Sequence, residues 1–143
     1  MYNFKNASHS ISNSNKRMVE HKERNRLTSM SFKRSDCAIA CVLDLLGDKW
    51  TLLIIRDLFF GKTRYKDFHE SNEKIPTNIL AGRLAKLEKA GLITKTPYQK
   101  NPVRYDYRLT KTGQSLGPVM RAIAHWGSEY ISGTHTQIAT GRK

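Results

Sequence analysis

One stretch limits the folds open to this chain more than any other: Ile75 to Leu92, I-P-T-N-I-L-A-G-R-L-A-K-L-E-K-A-G-L. Leu80, Leu84 and Leu87 recur at the period of a helix with one buried stripe. Thr77 follows Pro76 and is placed to cap the first turn, because a hydroxyl accepts from an orphan amide there. Gly91 stands where a helix end takes a residue free to adopt positive φ. At about 100° per residue, the face opposite the leucines carries Asn78, Gly82, Ala85, Lys86 and Lys89, with Ala81 and Arg83 on its shoulders. A merely solvated face would hold more Glu and long polar residues. Small residues let a backbone come close to another surface. An amide at one end and cations along the length suit a helix laid in a DNA major groove, where amides read base edges and cations hold phosphates.

The segments on either side agree. Asp36 is placed to cap a first helix, Cys37 to Gly47, with Ile39, Val42, Leu43, Leu45 and Leu46 as a broad apolar stripe. Trp50 to Phe60 is apolar almost all round and reads as the central buried helix. Thr63 to Glu70 is a short third helix with Tyr65 and Phe68 facing inward and Lys62, Arg64 and Lys66 clustered at its start. Short helix, tight turn, longer helix is the helix-turn-helix pattern. After Gly91 the period becomes two. Leu92 to Tyr98 reads as a strand, Gln99 to Pro102 as a turn, and Val103 to Leu109 as an alternating strand. A hairpin in this place is a wing, expected to carry Lys100 at its tip and Arg104 near its base, both able to reach a nucleic-acid backbone. Thr110 to Thr112 opens a last helix, Gly113 to Ile131, whose Ile123, Trp126 and Tyr130 exceed what one small core needs. Such an excess on a terminal helix marks a subunit interface. The fold class is therefore α+β, a winged helix-turn-helix with a helix for dimerisation.

Charge supports a polyanionic partner. The chain of 143 residues has 25 Lys and Arg against 12 Asp and Glu, a formal +13, well above what solubility asks of a small domain. Residues 1–33 hold seven Lys or Arg and two Glu in a Ser/Asn-rich, weakly apolar context. They read as a disordered basic tail with a transient helix around Lys16 to Leu27. The domain is expected over 34–132 and a short polar end over 133–143. No apolar run reaches the roughly 20 residues of a membrane span and there is no secretory h-region, so a cytoplasmic location is expected. Two cysteines, Cys37 and Cys41, make no disulfide framework, and helical geometry opposes a bond between them. His9, His21, His69, His125 and His135 lack metal-ligand spacing, so neither metal nor cofactor is expected. No phosphate loop, nucleophile elbow or paired acid and base occurs, which argues against an enzyme.

The blocks C-A-I-A-C-V-L-D-L-L-G-D-K-W-T-L-L-I-I-R-D-L, G-K-T-R-Y-K-D-F, I-P-T-N-I-L-A-G-R-L-A-K-L-E-K-A-G-L-I, P-V-R-Y-D-Y-R-L-T-K-T-G and W-G, in this order from Asp36 to the Trp126 region, resemble the HxlR family of bacterial transcriptional regulators. The resemblance implies a homodimer that binds palindromic promoter DNA through a winged helix-turn-helix, with the terminal helices as the interface. On the family's DNA-contacting positions stand Thr77, Asn78, Ala81, Arg83 and Lys86, and on the wing Lys100 and Arg104. Cys37 falls where several members sense oxidants or electrophiles, although Ala38 replaces the Pro that usually follows. Two other readings stay open. A thiol-based redox enzyme centred on Cys37 needs a lowered thiol pKa and a nearby base or cation. A winged helix that contacts only protein would bind without regard to salt.

Overall fold

The computed structural model describes residues 34–135. The expected tail over 1–33, its helix around Lys16 to Leu27, and positions 136–143 of the polar end lie outside the described residues. Among the described residues six helices and two strands follow in order: α1 (Ala38–Leu46), α2 (Thr51–Phe59), α3 (Tyr65–His69), α4 (Thr77–Lys89), β1 (Ile93–Lys100), β2 (Val103–Leu109), α5 (Lys111–Gln114) and α6 (Gly117–Tyr130). This is the α+β winged helix-turn-helix.

The leucine stripe of α4 does what its period predicts. Leu80, Leu84 and Leu87 are buried, together with Ile54, Ile55 and Leu58 of α2, Phe68 of α3, and Ile75, Leu92 and Ile93. Gly91 takes φ +74°, and the Leu92 amide reaches back to the Leu87 carbonyl at 3.0 Å, closing α4 as a left-handed helix end does. The chain then turns into the hairpin, paired antiparallel from Ile93↔Leu109 to Lys100↔Val103. A bulge between Pro97 and Gln99 leaves Tyr98 out of the register, at a point where proline has no N–H to give the ladder.

Inside α2 lies a charge that apolar patterning did not announce. Asp57 is 1% exposed. Its Oδ1 accepts from Arg56 at 3.1 and 2.9 Å, and its Oδ2 accepts from the Lys62 ammonium at 3.1 Å and from the Ser71 hydroxyl. Arg56 also grips both oxygens of Glu73, at 2.7 and 2.9 Å. A buried charge persists only when paired and hydrogen-bonded. Here the pairing fastens α2 to the turn that leads into α4.

Three local expectations are corrected. Pro76, not Thr77, is the N-cap of α4, and Thr77 is its first helical residue without a side-chain cap. The Leu80 amide bonds to Pro76 O at 2.9 Å. Cys37, not Asp36, is the N-cap of α1. The single last helix is two. Thr110 opens α5 as expected, accepting from the Gly113 amide, but Pro118 stands in the first turn of α6 and has no N–H to carry the ladder through.

Candidate nucleic-acid interface

Around α4 the open arc comprises Thr77, Asn78, Ala81, Gly82, Ala85 and Lys89, all exposed. A methyl built on Gly82 would meet nothing within 4 Å. The arc is thus low, with a carboxamide at its N-terminal end and an ammonium at the other. The Tyr65 hydroxyl donates to the Thr77 carbonyl at 2.6 Å, so α3 steadies the start of α4.

Arg83 and Lys86 depart from expectation. Both are half-buried. Arg83 Nε lies 3.0 Å from Asp48 Oδ1, and Lys86 Nζ donates to the Asp44 carbonyl at 2.8 Å. Each cation is turned along the helix shoulder toward α1 and the turn after it, away from the open arc. Asp48 gathers further donors: the amides of Trp50 and Thr51 at 3.0 and 3.1 Å, and the Thr51 hydroxyl. Burial pushes the Asp48 carboxyl up, but these hydrogen bonds and Arg83 outweigh it and hold the group at about 2.

On the wing, Lys100 and Arg104 are both exposed. Arg104 pairs with Gln99, one rung from the Asn101–Pro102 turn, so it sits near the tip and not at the base. Of the basic cluster before α3, Lys62 is drawn inward to Asp57, whereas Arg64 and Lys66 remain open at the surface. Arg64 lies over the Tyr98 ring at 4.2 Å and pairs with Asp106 at 3.4 Å. Together with Lys66, Arg104 and Tyr105 it borders an open groove of about 520 Å³ between α3 and the hairpin. Lys89 and this groove were missing from the sequence-derived contact residues; the K-T-R-Y-K run was the one visible sign of the latter.

Two other places bear on function. Cys37 is exposed, its amide donating to Ser35 Oγ at 3.3 Å. Cys41 is half-buried, with its thiol 3.5 Å from the Ser35 carbonyl. Arg34, close to Cys37 in sequence, is paired with Asp44 at 2.8 Å. On α6 the side chains of Ile123, Trp126 and Tyr130 are exposed, the last two with rings 5.4 Å apart. On α1, Ile39, Val42 and Leu43 are exposed too. No helix of the described residues is long and apolar enough to cross a membrane.

Comparison with known proteins gives a consistent picture. Residues 45–135 match the family model described as HxlR-like helix-turn-helix. The uncharacterized HTH-type transcriptional regulator Rv3095 of Mycobacterium tuberculosis is 35% identical over 105 residues, 73% of this chain and 66% of that protein. The chain thus spans just under two thirds of that relative's length. Among solved structures, the reduced form of the transcriptional regulator YodB from B. subtilis has a TM-score of 0.57 at 29% identity, covering 70% of this chain and 99% of that one. The redox regulator HypR in its reduced form has a TM-score of 0.60 at 27% identity, covering 65% and 92%.

Proposed function

Because this chain belongs to the HxlR-like helix-turn-helix family, we propose that it is a cytoplasmic, sequence-specific DNA-binding transcriptional regulator acting as a homodimer on palindromic promoter DNA. The observation that carries the reading is the open arc of α4: a carboxamide, four small or short side chains and an ammonium on a helix whose opposite face is wholly committed to the core. In a major groove, Asn78 is suited to pair with a base edge, adenine above all. Thr77 stands beside it, and Ala81, Gly82 and Ala85 let the helix backbone approach. Lys89, Lys100 and Arg104 hold phosphates, and Arg64 and Lys66 add to the field. The function is binding, so no cofactor or metal is invoked and no enzymatic turnover is proposed.

The test is selection of duplexes from a randomised pool, followed by affinity measured against salt. Asn78→Ala is expected to cost about 1–3 kcal/mol on the selected duplex and little on random DNA. Arg104→Ala is expected to weaken both alike and flatten the salt slope by about one. Binding without sequence preference and without salt dependence overturns the reading in favour of a protein-contact module.

A second element concerns the effector. HypR is described as a redox regulator, and Cys37 here is open to solvent at the start of α1. We infer that oxidants or electrophiles act at Cys37, releasing or altering DNA binding when α1 is displaced. Diamide is expected to change the affinity of wild type and Cys41→Ser, and to leave Cys37→Ser unaffected. A response retained in Cys37→Ser removes Cys37 as the sensor, and sustained peroxide turnover by the purified protein would favour a redox enzyme instead.

A further inference from the structure

The two cations on α4 that face away from its open arc have a different task. In its last turn, α1 leaves carbonyls without intrahelical donors. The Lys86 ammonium takes one of them, Asp44 O, at 2.8 Å, a charge-assisted bond at the helix end where a cation is also favoured by the peptide dipoles. One turn earlier on α4, Arg83 pairs at 3.0 Å with Asp48, whose carboxylate at the same time receives the first amides of α2. Residues three apart on one helix lie on one side of it. A single turn of α4 therefore grips the end of α1 and the start of α2.

The grip matters because α1 is otherwise lightly seated. It buries only Leu45 and Leu46, at its C-terminal end, while Ile39, Val42 and Leu43 are 72%, 48% and 54% exposed. Its N-terminal end carries Cys37. Whatever covers that apolar stripe will bear on α1, and Lys86 is where α1 meets α4 through a directed polar bond.

We propose that Lys86, assisted by Arg83, is a positioning residue that locks the recognition helix to α1, so that the seating of α1 against a second copy sets the attitude of α4. This rests on the DNA-binding reading above. It assigns Lys86 to half-site geometry and removes it from the phosphate contacts. A dimer reading two half-sites needs its recognition helices at a fixed separation. The lock supplies it, and cutting the lock relaxes the choice of spacing without removing a phosphate contact.

The experiment compares Lys86→Met, which keeps the aliphatic stem, with Lys86→Arg and with Lys89→Met as the open-face cation. The probes are the duplex selected by the wild-type chain and the same duplex with one base pair added or removed between its halves. Lys86→Met is expected to reduce the preference for the selected spacing by about tenfold with an unchanged salt slope. Lys86→Arg retains most of the preference. Lys89→Met is expected to keep the spacing preference and lower the slope by about one. Without DNA, hydrogen exchange at the end of α1 and through Gly47 and Asp48 quickens several-fold in Lys86→Met. A slope reduced in Lys86→Met with spacing preference intact, or exchange left unchanged, overturns the proposal. Arg83→Gln cuts the same joint more gently and gives the same ordering if Lys86→Met does not fold. If the wild-type chain selects no duplex, the DNA reading falls and the exchange measurement alone decides the lock.

Discussion

Gly82 sits in the middle of α4, where glycine costs about 0.5–1 kcal/mol relative to alanine. Its fold does not ask for it: φ is not positive there, and an added methyl would touch nothing within 4 Å. Close approach of an outside surface gives the missing reason. Gly82→Ala is expected to raise the urea midpoint, by about 0.5–1 kcal/mol in stability, and to lower affinity for the selected duplex. A stabilised variant with full affinity would place the DNA on some other face. At this scale the period made Asn78, Ala81 and Gly82 legible, since it fixes direction around the helix axis. It says nothing of what stands in that direction. The carbonyl that holds Lys86 is 42 residues away in the chain, so a lysine bound to its own fold and one free for phosphate look alike in sequence. Arg104 was misplaced for a related reason: pairing carries β1 on to Lys100, two residues beyond where the strand pattern ends.

Between elements, carboxylates make the joints. Asp48 ties α4 to the α1–α2 turn, and Glu73 ties the turn before α4 to Arg56 of α2. The hydrogen bond from Arg56 leads the effects that lower Glu73 to about 2 from an ordinary 4.5, while Asp48 is held at about 2 from 3.8. Both are depressed on folding, so their contribution is complete above the ordinary values and is lost as pH falls through the folded ones. The urea midpoint is expected to hold from neutral pH to about 5 and to fall between about 4.5 and 2. Asp48→Asn and Glu73→Gln each start lower at neutral pH and lose part of that acid dependence; a wild-type profile retained in both variants refutes the assignment. The elements themselves were readable, the helices from the 3.6 period and the wing from its alternation, except that the last helix is two. Their ends were not. Capping residues were assigned by type, yet Pro76 and Cys37 hold the positions expected of Thr77 and Asp36, because the path of the chain into a helix is set by what it packs against. The buried Asp57 was equally invisible, since patterning reads an aspartate as a break in an apolar face and not as the hub of four donors.

For the molecule as a whole, order and class of elements followed from the sequence, and so did the apolar excess on the last helix, but on α1 exposed apolar surface did not separate from core. A stripe of apolar residues has the same period whether it meets its own domain or another copy, and α1 shows this: five apolar residues in one stripe, two of them buried. On α6 the division runs along the helix. Leu116 and Met120 pack on the core, and Gly117 lies against the Phe59 ring, whereas Ile123, Trp126 and Tyr130 point outward, Trp126 with 59% of its surface exposed. Patches of this kind mark contact surfaces, and a second copy fits the palindromic binding proposed above. Trp126 is the natural anchor, being large, rigid and set against the tilted ring of Tyr130. Its removal leaves no hole in the core of one subunit, so folding and assembly can be told apart. Trp126→Ala is expected to cost the dimer about 2 kcal/mol, roughly 30-fold in its dissociation constant. Sedimentation across a concentration series reads the change, with the helical circular dichroism spectrum preserved. Affinity for the selected palindrome falls in parallel, while affinity for a single half-site is retained. A wild-type chain that sediments as a monomer at micromolar concentration, or a Trp126→Ala dimer as tight as wild type, removes α6 from the interface.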